Sequence, residues 1–471
     1  MAVCALLIGL ALAGAPLDTR AVAQGIVAPA TAGGTAAASD AARMPELEAA
    51  EALLRAGDFA AARQKLNEAH EKNPRLAAPG VMLARWYLAN NQIALARAEL
   101  EQVVETLPDE PEAYGLLGEL AWRDRRIAET ELLFRESLAR AQSIKTSAAR
   151  KTEAEAQARA GLATVAEARG RWDTARDELA AWIKLDDTNP NPHQRLGQAL
   201  FHLGKPKEAF TEFQTAAKAN PEFVPEIALA NLYEAAGDRE NATKSMDAAS
   251  KRLPKNVAVR LAIANWYLEA NRVARAKTQV EVALNLDPDS LEAKILAGGI
   301  ARLQKDFPAA ERYLEAAHLQ SPTSFPASNL LALTLADQDD PAKKGRALEF
   351  ARQNAEKYPQ NSEALTTLGW ACFRLGRWDE ASRALNQALA TGALNADGAY
   401  FLAKSFEREG KTADAKTLLE KAIATKRTFA YQQDAEQLIA RLKTGSASAS
   451  TSPSAKAEAP AKIEAPAKAK K

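Results

Sequence analysis

The sequence predicts an all-α solenoid of about eleven helix-turn-helix repeats, closed by one further helix. Three observations lead there. Between its two ends the chain resembles itself every 34 residues, a period that fits one pair of helices with its turns. Within that period one position is always Gly or Ala, and another, twelve residues later, is nearly always Ala. Composition agrees: only 23 Gly and 22 Pro in 471 residues, with abundant Ala, describe a chain that is helical throughout. The same composition limits function. With 61 Lys+Arg against 60 Asp+Glu the net charge is +1, too little for a sustained field that recruits nucleic acid. Two Cys and four His leave little material for a disulfide framework, a zinc site or a Cys/His catalytic pair. Binding is expected rather than chemistry, with no cofactor and no metal.

Taken in order, the chain opens with AVCALLIGLALAGA over residues 2–15, apolar but too short to span a bilayer. It has the length of a signal-peptide core, and Ala21-Val22-Ala23 places small residues at both recognition positions before Gln24. Residues 1–23 are therefore read as a signal peptide, which implies an exported, periplasmic or secreted protein with no membrane association after cleavage. No positive charge precedes the apolar run, and a retained segment would make the protein cytoplasmic. Residues 24–42 are mostly Ala, Gly and Thr without periodicity, and residues 445–471 are rich in Ala, Pro and Lys. Neither can bury enough surface to order itself, so both read as disordered.

The repeats fill residues 43–444. Units start at Arg43, Ala77, Pro111, Ala156, Pro190, Phe223, Val257, Leu291, Phe325, Ser362 and Ala396. Position eight of each is small: Ala50, Ala84, Gly118, Ala163, Gly197, Ala230, Ala264, Gly298, Ala332, Gly369 and Ala403. Position twenty is Ala in ten of the eleven units and Thr130 in the third. Small residues at both places let the helices of a hairpin approach closely. Prolines such as Pro74, Pro108, Pro254 and Pro322 fall between units, where they block helix continuation. Gly57, Gly170, Gly204, Gly237 and Gly410 fall at the turns inside units, where a helix C-terminus favours a left-handed residue. Two places depart from the period: about eleven extra residues around Lys145 to Glu155, expected to extend a helix, and a longer turn from Asp337 to Lys344. Phe429, Ala435, Leu438, Ile439 and Leu442 then have the spacing of a closing helix over 429–444. The stretches LARWYLANNQIALARAEL and IANWYLEANRVARAKTQV, from Leu83 and Ile263, resemble each other beyond the register, as a duplication of several units would leave them.

Leu368-Gly369, Gly376, Trp378, Ala381, Leu385 and Ala388, at these spacings, resemble the tetratricopeptide repeat family. The resemblance implies a right-handed superhelical solenoid, with first helices lining a concave groove and positions two, five, nine, twelve and thirteen facing it. On that face Gln198, Asn231 and Asn265 occupy position nine of three consecutive units. They resemble the amide ladders that hold a peptide backbone, since an amide both donates and accepts. A second candidate is the aromatic and basic cluster of Trp370, Phe373, Arg374, Tyr400, Lys404 and Arg408, residue types enriched at binding hot spots. A weaker patch is Arg85, Glu119, Trp122 and Arg123. Trp86, Trp266 and Tyr267 read as core, and His193 and His202 are spaced too badly for a metal site. Cys372, facing its hairpin partner, is expected to be buried.

No Gly-rich phosphate loop, nucleophile elbow or separate catalytic block is found in the sequence. The expected function is a non-catalytic scaffold or adaptor that binds a protein or peptide in its groove, in the cell envelope. The alternative is a non-catalytic regulatory subunit of an envelope polymer synthase, export or peptidase complex.

Overall fold

The computed structural model describes residues 44–444 except 146, 393, 426 and 427, so the expected signal peptide, linker and tail lie outside the described residues. Described residues form 23 α-helices and no strand, an all-α repeat of eleven antiparallel hairpins and a closing helix. They fall into two compact units that meet after Pro254. The first holds six hairpins: α1/α2 (Pro45–Ala56, Phe59–Lys72), α3/α4 (Pro79–Ala89, Ile93–Thr106), α5/α6 (Pro111–Arg123, Ile127–Ser143), α7/α8 (Ala148–Ala168, Trp172–Ile183), α9/α10 (Pro190–His202, Pro206–Ala219) and α11/α12 (Pro225–Ala235, Arg239–Arg252). The second holds α13/α14 (Val257–Glu269, Val273–Leu286), α15/α16 (Leu291–Leu303, Phe307–Gln320), α17/α18 (Phe325–Asp337, Pro341–Lys357), α19/α20 (Ser362–Arg374, Trp378–Ala390), α21/α22 (Ala396–Arg408, Thr412–Ala424) and the closing helix α23 (Gln432–Thr444).

The two small positions are where each hairpin closes. All eleven position-twenty residues are fully inaccessible, including Thr130, whose hydroxyl donates to Arg126 O at 3.0 Å. Where position eight is Gly, it meets a third residue, position twenty-four. Gly118 and Gly197 face Phe134 and Phe213; Gly298 and Gly369 face Leu314 and Leu385. A methyl group on Gly197 would stand 2.4 Å from Phe213 Cε1, and one on Gly298 2.4 Å from Leu314 Cγ. Where position eight is Ala, position twenty-four is Leu66, Leu100, Leu179, Met246, Val280, Ala351 or Leu419, and all of these are buried.

Helix ends follow capping chemistry. Asp58, Asp238, Asn256, Ser290, Asp306, Asn361 and Asn395 each accept from the backbone N–H three residues on, which satisfies an otherwise orphaned donor. Ten of the eleven intra-hairpin turns carry one residue with positive φ. Six are Gly and two are Asn91 and Asn271, both tolerant of the left-handed region; the other two are Arg125 (φ 60°) and Lys305 (φ 59°).

The insertions resolve into helix. Residues from Ala148 onward extend α7 to 21 residues, as expected. The extra residues near Asp337 do not lengthen a turn: α17 stops at Asp337 and α18 starts at Pro341, so they lengthen the second helix to 17 residues. The reason is local. Asp340 accepts from the N–H groups of Ala342 (2.8 Å) and Lys343 (3.3 Å), and Pro341 sits at the first helical position, where its missing donor costs nothing. The closing helix also starts later than its hydrophobic spacing suggested. Phe429, Ala430 and Tyr431 precede α23 and are buried.

Candidate functional site

In the second unit the face shared by positions two, five, nine, twelve and thirteen is closed by the chain itself. Arg302, at the end of α15, is buried and joins elements far apart in sequence. Its Nη1 donates to Asp397 Oδ2 at 2.8 Å and its Nη2 to the Tyr431 hydroxyl at 3.1 Å. The Tyr431 hydroxyl donates to the Asp337 carboxylate, which also accepts from Trp370 Nε1 at 2.9 Å. Ala430 N–H donates to Asp397 Oδ1 at 3.2 Å. Aromatic rings seal these polar groups. Tyr431 stacks on Tyr400 at 4.8 Å between centroids, Trp370 stacks on Phe401 at 4.3 Å, and the Arg302 guanidinium lies 5.2 Å from the Tyr431 ring centre.

Burial dominates the electrostatics of this network. It pushes the Asp337 carboxyl above its ordinary range, against the opposing pull of Arg302, Tyr431, Trp370 and Arg374. It pushes the phenols of Tyr400 and Tyr431 up as well. Burial works against the Arg302 charge, but Tyr431, Asp397 and Asp337 outweigh it and hold the guanidinium charged.

Of the sequence-derived aromatic and basic cluster, Trp370, Phe373, Arg374 and Tyr400 are brought together, whereas Lys404 and Arg408 make their contacts outside it. Trp370 and Tyr400 are buried in the network just described. Phe373 is half-buried and stacks on Trp370. Arg374 turns back to Asp339, at 3.1 Å. Lys404 pairs with Glu407 one turn along its own helix, and the exposed Arg408 covers the Trp378 ring, 3.8 Å from its centre. Arg302, Asp337, Asp397 and Tyr431 were not singled out from sequence. Arg302, Asp337 and Asp397 stand at positions twelve, thirteen and two of three different units, all groove-facing, while Tyr431 lies beyond the repeats, so no single repeat position marks them as a set. The available signals were those groove-facing charges and the aromatic pair Phe429 and Tyr431 placed just ahead of a helical pattern.

The first unit presents a different face. Position nine of its second to sixth hairpins is Arg85, Glu119, Thr164, Gln198 and Asn231, polar throughout. Thr164 is tied down: its hydroxyl donates to Ala160 O and accepts from Arg195 Nη2 at 2.9 Å, while Arg195 also holds Glu167. Glu119 keeps some exposed surface, but its carboxyl is set inward and accepts from Gln157 Nε2 at 2.9 Å. Burial pushes it up to about 7, with Gln157 and Arg85 pulling the other way. Trp122 is half-buried; Arg85 and Arg123 are exposed. Gln198 and Asn231 are exposed, and their side chains make no hydrogen bond among the described residues. Asn265, in the second unit, is half-buried.

The remaining candidates are structural. Trp266 and Tyr267 are buried, and Trp86 is half-buried against Phe59 and Tyr87. His193 Nδ1 bonds to Glu212 at 2.7 Å, and His202 stacks on Trp172 at 3.9 Å between ring centres. Cys372 is buried, and burial pushes its thiol above the usual value. Among the described residues no group of three or more His, Cys, Asp or Glu is placed to hold a metal ion, and no helix is long and apolar enough to cross a membrane.

Three sequence profiles match this chain, each described as tetratricopeptide repeat. The first covers residues 53–120, 233–298 and 345–405, the second 191–223 and the third 156–181. Together they span more than half of the chain. A TPR repeat-containing protein of Pseudomonas aeruginosa is 23% identical over 203 residues, which is 42% of this chain but only 33% of that relative's length. Yeast Tom70 matches 85% of this chain and 95% of its own at 14% identity, with a TM-score of 0.37. A tetratricopeptide repeat protein from Parabacteroides merdae matches 61% of this chain and 98% of its own at 13% identity, also with a TM-score of 0.37.

Proposed function

Because the chain belongs to the tetratricopeptide repeat family, we propose that it is a non-catalytic protein-binding scaffold whose first unit takes an extended segment of a partner across its position-nine row. One observation carries this reading. Gln198 and Asn231 occupy equivalent places on α9 and α11, are exposed, and have both amide donors and acceptors unspent within the described residues. Such a pair can bond to a partner's backbone whatever its side chains are. Arg85 lies on the same row toward the N-terminal hairpins, and Trp122 and Arg123 stand beside it at positions twelve and thirteen, supplying charge and one aromatic surface.

The test is a comparison of the immobilised wild-type chain with a Gln198→Ala/Asn231→Ala variant. Two lost hydrogen bonds at about 1 kcal/mol each lower retention of the captured polypeptides by roughly tenfold or more, with melting unchanged. A folded variant that retains the full set overturns the reading. The setting supported by residues 1–23 is export to the cell envelope, with a mature start at Gln24. An intact mass of the native protein that includes Met1 overturns that part alone.

A further inference from the structure

The second unit holds something that its helices alone do not require: three buried or half-buried charges, Arg302, Asp337 and Asp397, gathered from three different hairpins around one phenol. Arg302 reaches Asp397 at 2.8 Å and lies 3.6 Å from Asp337, so the charged frame is assembled by the hairpins themselves. Residues 428–431 pack Phe429, Ala430 and Tyr431 into the buried core but add little to the polar frame itself. They contribute one backbone donor, Ala430 N–H to Asp397, and one phenol, set between Arg302 Nη2 and the Asp337 carboxylate over Tyr400. They form the turn that enters α23, with Gln432 N–H donating to Phe429 O at 3.3 Å and Ala435 N–H to Tyr431 O at 2.8 Å, and a main-chain hydrogen bond with one pocketed aromatic side chain is also how a groove holds a peptide. The fit is also imperfect. Arg302 Nε and Thr428 Oγ1 are buried without a hydrogen-bond partner among the described residues, and each such atom forfeits interaction that a better occupant regains.

We infer that the face formed by α15, α17, α19 and α21 is a binding site for a helix-entering turn carrying an unmodified tyrosine, occupied in this chain by its own residues 428–431. The ligand chemistry follows from the frame. The phenol must donate to Asp337 while accepting from Arg302, which phenylalanine cannot do. A phosphorylated tyrosine would press its negative charge against Asp337. The ring needs the Tyr400 surface beneath it and the edges of Trp370 and Phe401 beside it, at 5.6 and 5.1 Å. A tethered occupant acts at an effective concentration in the mM range. An outside segment therefore competes against it and binds well only when the tether's own contact is weakened. This inference does not depend on the first-unit reading, since it concerns other residues and another ligand class.

The experiment uses the full chain and a fluorescent synthetic peptide of residues 428–444, in three forms with Tyr, Phe or phosphotyrosine at the place of Tyr431. Tyr431→Ala in the protein removes the internal phenol and empties the frame. The tyrosine peptide is expected to bind this variant at least tenfold more tightly than it binds wild type. The phenylalanine form should bind the variant at least tenfold more weakly than the tyrosine form, and the phosphorylated form not measurably. Adding Asp337→Asn should erase the difference between tyrosine and phenylalanine. Equal binding to wild type and variant, or equal binding of the tyrosine and phenylalanine forms, overturns the proposal. Should circular dichroism show that Tyr431→Ala unfolds, Tyr431→Phe replaces it, with the same ranking of peptides expected. In wild type, the Ala430 amide should exchange with solvent faster than core amides of α17 and α19. Exchange of that amide only through global unfolding also overturns it.

Discussion

Position nine of the first helix tells the two units apart. In the first unit it reads Arg85, Glu119, Thr164, Gln198 and Asn231 from the second hairpin to the sixth; in the second it reads Asn265, Gly299, Leu333, Trp370 and Lys404. Leu333 and Trp370 are buried while Arg85, Gln198 and Asn231 are exposed. The caps and turns that frame the hairpins are nevertheless alike. Hairpins one to three and six to eight share capping aspartates, Asp58 and Asp238, left-handed asparagines, Asn91 and Asn271, and left-handed basic residues, Arg125 and Lys305. Trp86-Tyr87 and Trp266-Tyr267 complete the likeness. What differs is the outward face, where Arg85, Glu119 and Trp122 correspond to Asn265, Gly299 and Arg302. The hairpin is thus specified by one set of positions and its surface chemistry by another, which leaves the second set free to diverge.

The comparison predicts opposite responses to removing a charge from each face. Arg302→Ala leaves Asp337 and Asp397 buried or half-buried without their cation, and breaking such a pair costs about 3–5 kcal/mol. Chemical denaturation of the variant should show at least half of that loss; a near-neutral outcome would place the network outside the stability of the second unit.

Glu119→Gln should do the reverse. Burial raises this carboxyl to about 7 from an ordinary 4.5, so between those values the folded chain holds a proton that the unfolded chain releases. Its contribution to stability is therefore present below about pH 4.5 and is lost as pH rises through about 7. The neutral amide escapes that loss, and the variant should gain on the order of 2 kcal/mol at pH 8 and much less at pH 4.5. Parallel stability-versus-pH curves for the two proteins would sink the assignment.

The left-handed basic residues give a finer contrast. Arg125→Gly should stabilise by about 1 kcal/mol, the ordinary penalty of that backbone region for a residue with a Cβ. Lys305→Gly should gain less, because Lys305 Nζ also reaches Asp434 at 2.9 Å. Equal gains in thermal melts would mean that the Asp434 contact contributes nothing. The smallest effect belongs to Gln198→Ala and Asn231→Ala, each expected to stay within about 0.5 kcal/mol of wild type. A larger loss would make these amides ties between hairpins and not contacts for a partner.

Periodicity made most of the fold legible. Position eight and position twenty are small because two helices meet there, and that constraint recurs in every unit. The approach of a glycine at position eight to position twenty-four was equally present, since Gly197 with Phe213 and Gly298 with Leu314 can be read from the register alone. The extension of α18 was signalled by Asp340-Pro341, a capping residue followed by a first-turn proline, and was obscured by measuring the insertion from the turn that precedes it. The site was legible only in part. Trp370 and Tyr400 are recognisable as a cluster on the groove face, but what covers them arrives from beyond the last repeat. Contacts among Arg302, Asp337, Asp397 and Tyr431 join hairpins eight, nine and eleven to the closing segment, and no 34-residue comparison aligns residues that never occupy equivalent positions.

Those contacts also bear on how such a chain can evolve. Arrays of this kind lose and gain repeats readily, because each repeat contacts only its neighbours and a new copy slots in wherever the junctions match. Between Arg302 and Tyr431 that freedom is gone. Adding or deleting one hairpin there would carry the phenol a whole repeat away from its guanidinium and leave both without partners. Recombination can therefore lengthen or shorten this protein only ahead of α15, and within the second unit the number of repeats is an inherited length, counted by a single tyrosine.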